Sequence, residues 1–136
     1  MRKRSKAREH ALRILYQLEL NNESPEEGIA SYLRHHRVAK ESQGFVLSLV
    51  NGTLKEMEKI DALIGQVAIN WNLKRMATID RNILRLGVYE SKFESDVPPT
   101  VVINEAVEMA KRYGTPNSGK FVNGVLDKIH KSVETS

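Results

Sequence analysis

The sequence predicts an all-α protein, a compact bundle of about six or seven helices. Apolar side chains recur at spacings of three and four through most of the chain. Alternating strand patterns are scarce, and helix start and stop signals follow one another at short intervals. A length of 136 residues suits one domain over 1–136, and a hydrophobic content of 40% can supply its core. Charged residues make up 28% and are spread along the chain, which argues against wholesale disorder.

The first helix is read from Ala7, Ala11, Ile14, Leu15 and Leu18, which form one stripe. Asn21-Asn22 ends it. Ser24-Pro25-Glu26-Glu27 then marks a new start, with Ser24 as cap, Pro25 in the first turn and Glu27 completing a capping box. This second helix carries Ile29, Ala30 and Leu33 and fades near His35-His36-Arg37. A long pattern runs from Glu41 to Ala68, and Gly52 and Gly65 are its predicted weak points. Asn70-Trp71-Asn72 reads as a loop. A helix over Thr78 to Phe93 puts Ile79, Ile83, Leu86 and Tyr89 or Glu90 along one side, with Asp80, Arg81 and Arg85 spaced to pair with one another. Asp96-Val97-Pro98-Pro99 breaks it. Thr100 is the expected cap of the next helix, which carries Ile103, Val107 and Ala110 and stops at Gly114. Thr115-Pro116-Asn117 leads into a last helix with Phe121, Val122, Val125, Leu126 and Ile129, where Gly124 is expected to permit close packing. The helices suggest two packed sub-bundles.

Several classes of function find no support. The chain has no cysteine, so disulfides and thiolate metal sites are out. His10, His35, His36 and His130 lack ligand spacing, and adjacent helical residues point about 100° apart. There is no phosphate loop, dinucleotide fingerprint or nucleophile elbow. Asp80, Glu90, Glu105 and Glu108 read as surface charges rather than an acid–base pair. The sequence therefore implies no catalytic residue, no metal and no cofactor. No apolar run approaches the roughly 18 residues needed to cross a bilayer, and no signal-peptide core follows the charged start. The expected location is the cytoplasm.

Charge placement is more informative. Arg2, Lys3, Arg4, Lys6, Arg8 and Arg13 crowd the first 13 residues against a single acid, Glu9, while the whole chain carries only +4. Such an end is an electrostatic footprint for a polyanion. At 100° per residue, Arg2, Lys6, Glu9, Arg13 and Tyr16 fall opposite Ala11 and Leu18. Tyr16 can stack on a base there, which suits single-stranded RNA, or pack on a neighbouring helix. A second candidate is the start of the last helix, where Asn117, Ser118 and Lys120 combine free backbone N–H groups with a cation. Phe121 beside them either stacks on a base or enters the core.

Four stretches carry a family resemblance: Ala7 to Tyr16, Ile79 to Glu90, Val102 to Lys111 and Ser118 to Asp127. In order and spacing they resemble the NusB family of bacterial transcription antitermination factors, over essentially the whole chain. The resemblance implies two three-helix sub-bundles with a connecting helix. It implies binding of boxA-type single-stranded RNA in ribosomal RNA leaders, together with NusE, a small-subunit ribosomal protein. The pair joins an RNA polymerase antitermination complex that supports ribosomal RNA synthesis. The arginine-rich first helix, Tyr16, Lys120, Phe121 and their neighbours are then the RNA contacts, and Asp80 faces the basic partner. Ser5 and Ala7 interrupt the basic run, Asn117 sits where acids also occur, and Lys74 and Arg75 make the middle loop basic. The alternatives are a non-catalytic interaction or dimerisation module, or an accessory domain of an RNA-modifying system. A homodimer is left open.

Overall fold

The computed structural model describes residues 2–68, 72–94 and 96–134, and every regular element among them is helical. In chain order the helices are α1 (Lys3–Asn21), α2 (Pro25–His35), α3 (Lys40–Lys55), α4 (Met57–Val67), α5 (Thr78–Val88), α6 (Pro99–Tyr113) and α7 (Ser118–Glu134). A single 3₁₀ turn, Leu73–Arg75, precedes α5, and a π turn, Tyr89–Phe93, extends it. The predicted loop at Asn70 and Trp71 lies outside the described residues. The chain forms two compact units, Met1–Gly52 and Thr53–Ser136.

In the first unit, α1 buries the whole predicted stripe and also Leu12. It ends at Asn22, whose left-handed backbone (φ 51°, ψ 40°) is one that asparagine tolerates. Ser24 caps α2 by accepting the Glu27 N–H at 3.3 Å. The buried side of α2 differs from the predicted one: Gly28 and Tyr32 are buried, while Ala30 is exposed and Ile29 and Leu33 are half-buried. Gly28 explains the register, because a Cβ there would collide with the Leu18 side chain of α1.

In the second unit, α7 packs on α4, α5 and α6. The long third pattern does split, but at Glu56, whose backbone (φ −97°, ψ 12°) leaves the helical region. Neither predicted glycine is the break; Gly65 meets only open space. Gly124 likewise has no neighbour within 4 Å of a Cβ, so it does not permit close packing. Gly87 of α5 fills that role, with Leu126 of α7 2.9 Å from where its Cβ would stand. Thr100 does not cap α6; the helix starts one residue earlier, on Pro99, which needs no N–H partner in the first turn. Gly114 stops α6 in extended backbone, its N–H bonded to Ala110 O at 2.9 Å.

The predicted pairing of Asp80, Arg81 and Arg85 is replaced by longer-range contacts. Arg85 forks onto Asp61 of α4, with Nε–Oδ1 at 2.9 Å and Nη2–Oδ2 at 3.0 Å. Arg81 donates to the carbonyls of Leu73 (2.9 Å) and Met76 (3.1 Å), which fixes the turn before α5. Planar guanidinium donors suit such forks better than a helix-surface pair. Arg85→Ala should destabilise the protein by about 1.5–3 kcal/mol, the usual worth of a hydrogen bond to a charged group. Urea unfolding measures it, and a change within about 0.5 kcal/mol, normal for a surface site, would deny the fork that role.

Candidate nucleic-acid interface

The first unit presents the basic face that the sequence predicts, with one displacement. Arg2, Lys3, Arg4, Lys6 and Arg13 are exposed, whereas Arg8 is only 4% exposed. Position 8 falls in the same arc as Ala11, Leu12 and Leu15, so the helix carries it inward. Its guanidinium lies 5.6 Å from the Phe45 ring of α3, and that of Arg4 lies 4.5 Å from the same ring. Lys3 Nζ meets Glu41 at 3.3 Å, also on α3. Tyr16 is half-buried, and its hydroxyl has no hydrogen-bond partner among the described residues.

Arg13 points toward a second aromatic, its guanidinium 5.8 Å from the Tyr32 ring centre. Tyr32 is 2% exposed, and its hydroxyl is 2.7 Å from His10 Nδ1. Burial pushes the Tyr32 phenol up from its ordinary value of 10.0, with Arg13 opposing. Burial also pushes His10 below 6.5, helped by the positive field of Arg13 and by His36 and Lys6, against Glu9. Residue spacing does not signal this cluster, because Tyr32 sits outside the apolar pattern assigned to α2.

In the second unit, residues singled out on separate grounds come together. Asp80 of α5 and Asn117, Ser118 and Phe121 at the start of α7 line one cavity of about 340 Å³, with Arg75 and Met76. Asp80 Oδ1 is buried and has no hydrogen-bond partner. The cavity lining therefore brings together a carboxylate residue, a cation, an amide and an aromatic wall. An N–H or O–H donor, or the edge of a base, matches that set. Ser118 is turned to internal work: 1% exposed, its Oγ accepts the Thr115 N–H at 2.9 Å. Lys120 is exposed and is not part of the cavity lining. Phe121 is half-buried, so the choice between wall and core resolves as wall. Arg75 joins the cavity as well, whereas the sequence marks it only as part of a basic loop.

Among the described residues, no three His, Asp or Glu side chains are grouped to hold a metal ion, and no helix is long and apolar enough to cross a membrane.

These are the features of a small helical module with a basic face on α1 and, among the described residues, a largely apolar cavity edged by Arg75, Asp80 and Asn117. The profile of the NusB family matches residues 5–131, and the chain belongs to that family. A transcription antitermination protein NusB from Desulfitobacterium hafniense is 46% identical, covering 93% of this chain and 87% of the relative. The solved NusB of T. maritima superimposes with a TM-score of 0.85 at 40% identity, over 94% of this chain and 90% of that one. A crystal structure of antitermination factors NusB and NusE in complex with double-stranded RNA gives a TM-score of 0.86 at 33% identity, over 97% and 98%.

Folding holds His10 below its ordinary value, chiefly through burial. Between the folded value and 6.5 the unfolded chain binds more protons than the folded one. The stabilisation is complete above 6.5 and is lost as pH falls below it. Thermal midpoints of wild type and His10→Gln, compared between pH 7.5 and 5.5, should show a smaller acid loss in the variant. Equal losses would remove His10 as a source.

Proposed function

We propose that the chain is a transcription antitermination factor that binds boxA-type single-stranded RNA together with NusE and joins the RNA polymerase antitermination complex. It acts as one domain over residues 1–136, in the cytoplasm, and without catalysis of its own. The observation that carries this reading is the likeness to the solved complex of NusB and NusE with double-stranded RNA, combined with the basic face of α1. Exposed Arg2, Lys3, Arg4, Lys6 and Arg13 neutralise phosphates, and Tyr16 offers a ring to a base. Arg8 contributes through Phe45 rather than by direct contact. The cavity holding Asp80, Asn117 and Phe121 adds a site for NusE or for a base, with Asp80 able to accept from a basic partner. Lys120 lies one position before Phe121 and adds positive charge there.

The experiment is a binding titration of a boxA oligonucleotide, a scrambled one and a boxA duplex, each with and without NusE. The expected result is preference for single-stranded boxA that sharpens when NusE is present. Equal affinity for boxA and scrambled RNA with NusE bound would overturn the reading; tighter binding of the duplex would overturn its single-stranded part.

Removing residues 1–6 should flatten the salt dependence by about 0.7 in the log–log slope for each phosphate no longer neutralised. Unchanged slope and affinity would place the RNA site elsewhere. Tyr16→Ala should weaken RNA binding by about 1–3 kcal/mol, and Tyr16→Phe by less, if the ring stacks on a base. A fall in thermal stability with normal affinity would make Tyr16 a packing residue instead.

A further inference from the structure

The carboxyl end of α2 carries Arg34, His35, His36 and Arg37, none of which belongs to the α1 face or the cavity. Arg34, His35 and Arg37 are exposed and His36 is half-buried. His35 Nδ1 lies 2.8 Å from the Ser31 carbonyl, and His36 Nδ1 lies 3.1 Å from the Tyr32 carbonyl. A carbonyl only accepts, so both rings hold a proton on Nδ1. Nε2 of each ring is left without a protein hydrogen bond among the described residues, and it carries a lone pair whenever the ring is neutral.

His36 lies flat on Tyr32, centroids 4.0 Å apart and planes 13° from parallel. His10 meets the same ring edge-on at 5.7 Å. The stack thus runs from the end of α2 to the face of α1 that carries Arg13. The charged and titratable groups facing His10 are Lys6, Glu9 and Arg13 from α1 and Tyr32 and His36 from α2. On α3, Glu41 is held by Lys3.

We propose that His10, Tyr32 and His36, with Arg13, form a proton-linked phosphate site that extends the RNA surface from α1 onto the end of α2. The proposal rests on the reading of α1 as an RNA face. A neutral His36 turns a lone pair toward an incoming phosphate oxygen and repels it. A proton on Nε2 turns that lone pair into an N–H donor with a full charge, while Nδ1 keeps its bond to the Tyr32 carbonyl. Burial first, and then the positive neighbour Arg13, disfavour the charged form of His10. A phosphate beside both offsets that repulsion. RNA binding therefore takes up protons, and by linkage affinity rises as pH falls.

The test is calorimetric titration of a boxA oligonucleotide into the full chain, in two buffers of different ionisation heat, at pH 7.5 and 6.0. Net proton uptake and an affinity gain of about three- to thirtyfold at pH 6.0 are expected, since one fully linked proton gives at most about tenfold per pH unit. The double variant H10Q/H36Q should lose both the uptake and the gain. A merely structural role for the stack would act the other way, because acid weakens the fold through His10. Zero uptake in wild type, or the same uptake in the variant, would overturn the proposal. NMR titration of the imidazole resonances with and without RNA tests wild type directly if the variant does not fold: both should titrate at higher pH when RNA is bound, and unmoved values would also overturn it. Arg2→Ala with Lys6→Ala separates the two readings. If it weakens binding equally at both pH values while wild type takes up no proton, the α1 face stands and the stack fails; if it changes nothing, the α1 face itself fails.

Discussion

Helix α1 must serve two environments at once, and the first unit is arranged around that demand. It buries Ala7, Ala11, Leu12, Ile14, Leu15 and Leu18, yet carries most of the chain's excess positive charge. Arginine can do this because its stem lies along apolar surface while the guanidinium rests on a ring. Phe45 receives Arg4 and Arg8, and Tyr32 receives Arg13. The basic face is therefore partly pre-arranged. A guanidinium already held over a ring has less freedom left to lose when it meets a phosphate, which favours affinity without adding contacts. Lysine, with a compact and strongly hydrated charge, would gain less from the same rings.

The second unit meets a different requirement. Its charged side chains near the interior are matched by forks and carbonyls: Arg85 by Asp61, and Arg81 by Leu73 and Met76. Against that background Asp80 stands out, since one of its oxygens is buried and unmet. A buried polar atom without a partner costs about 1–3 kcal/mol. The local packing bears that cost, while the residue itself still lines the cavity. Asp80 also lies in the first turn of α5, where the helix dipole stabilises its negative charge.

Helix count, the α1 stripe and the basic end are legible in the sequence because each is local: a period of three to four, or a run of one charge. The rest depends on tertiary contacts. The inward turn of Arg8 follows only once α3 brings Phe45 over it. The buried face of α2 departs from its hydropathy pattern because a glycine and a tyrosine, not its aliphatic residues, meet α1; Gly28 carries no hydropathy signal at all. Gly52, Gly65 and Gly124 read as weak or close-packing points, yet Gly28, Gly87 and Gly114 hold the tight contacts. Spacing on a single helix cannot show what stands opposite. The cavity is half legible: Asp80 and the Asn117–Phe121 stretch each stand out, Asp80 through family resemblance, but their meeting in one place does not. The one signal for Arg75 is that a basic turn precedes Asp80 so closely.

The composition of that cavity bears on what can enter it. Arg75 and Asp80 bring opposite formal charges, and Asn117 brings none. A carboxylate in place of Asn117 would leave the lining net negative and repel a phosphate or an electron-rich base edge. The amide instead offers both a donor and an acceptor, and Phe121 supplies an apolar wall. In the proposed RNA-binding role, long-range attraction falls to the basic face of α1, which would act on any polyanion and weaken with salt. Selection falls to short-range groups whose hydrogen-bonding pattern must be matched. The two tasks place different demands on residues: charge tolerates displacement by several ångströms, whereas a hydrogen bond to a lining side chain does not. It is consistent with this that the basic side chains stand at the surface, while the cavity's polar groups sit on helix ends fixed by the Arg81 contacts and by the Ser118 turn.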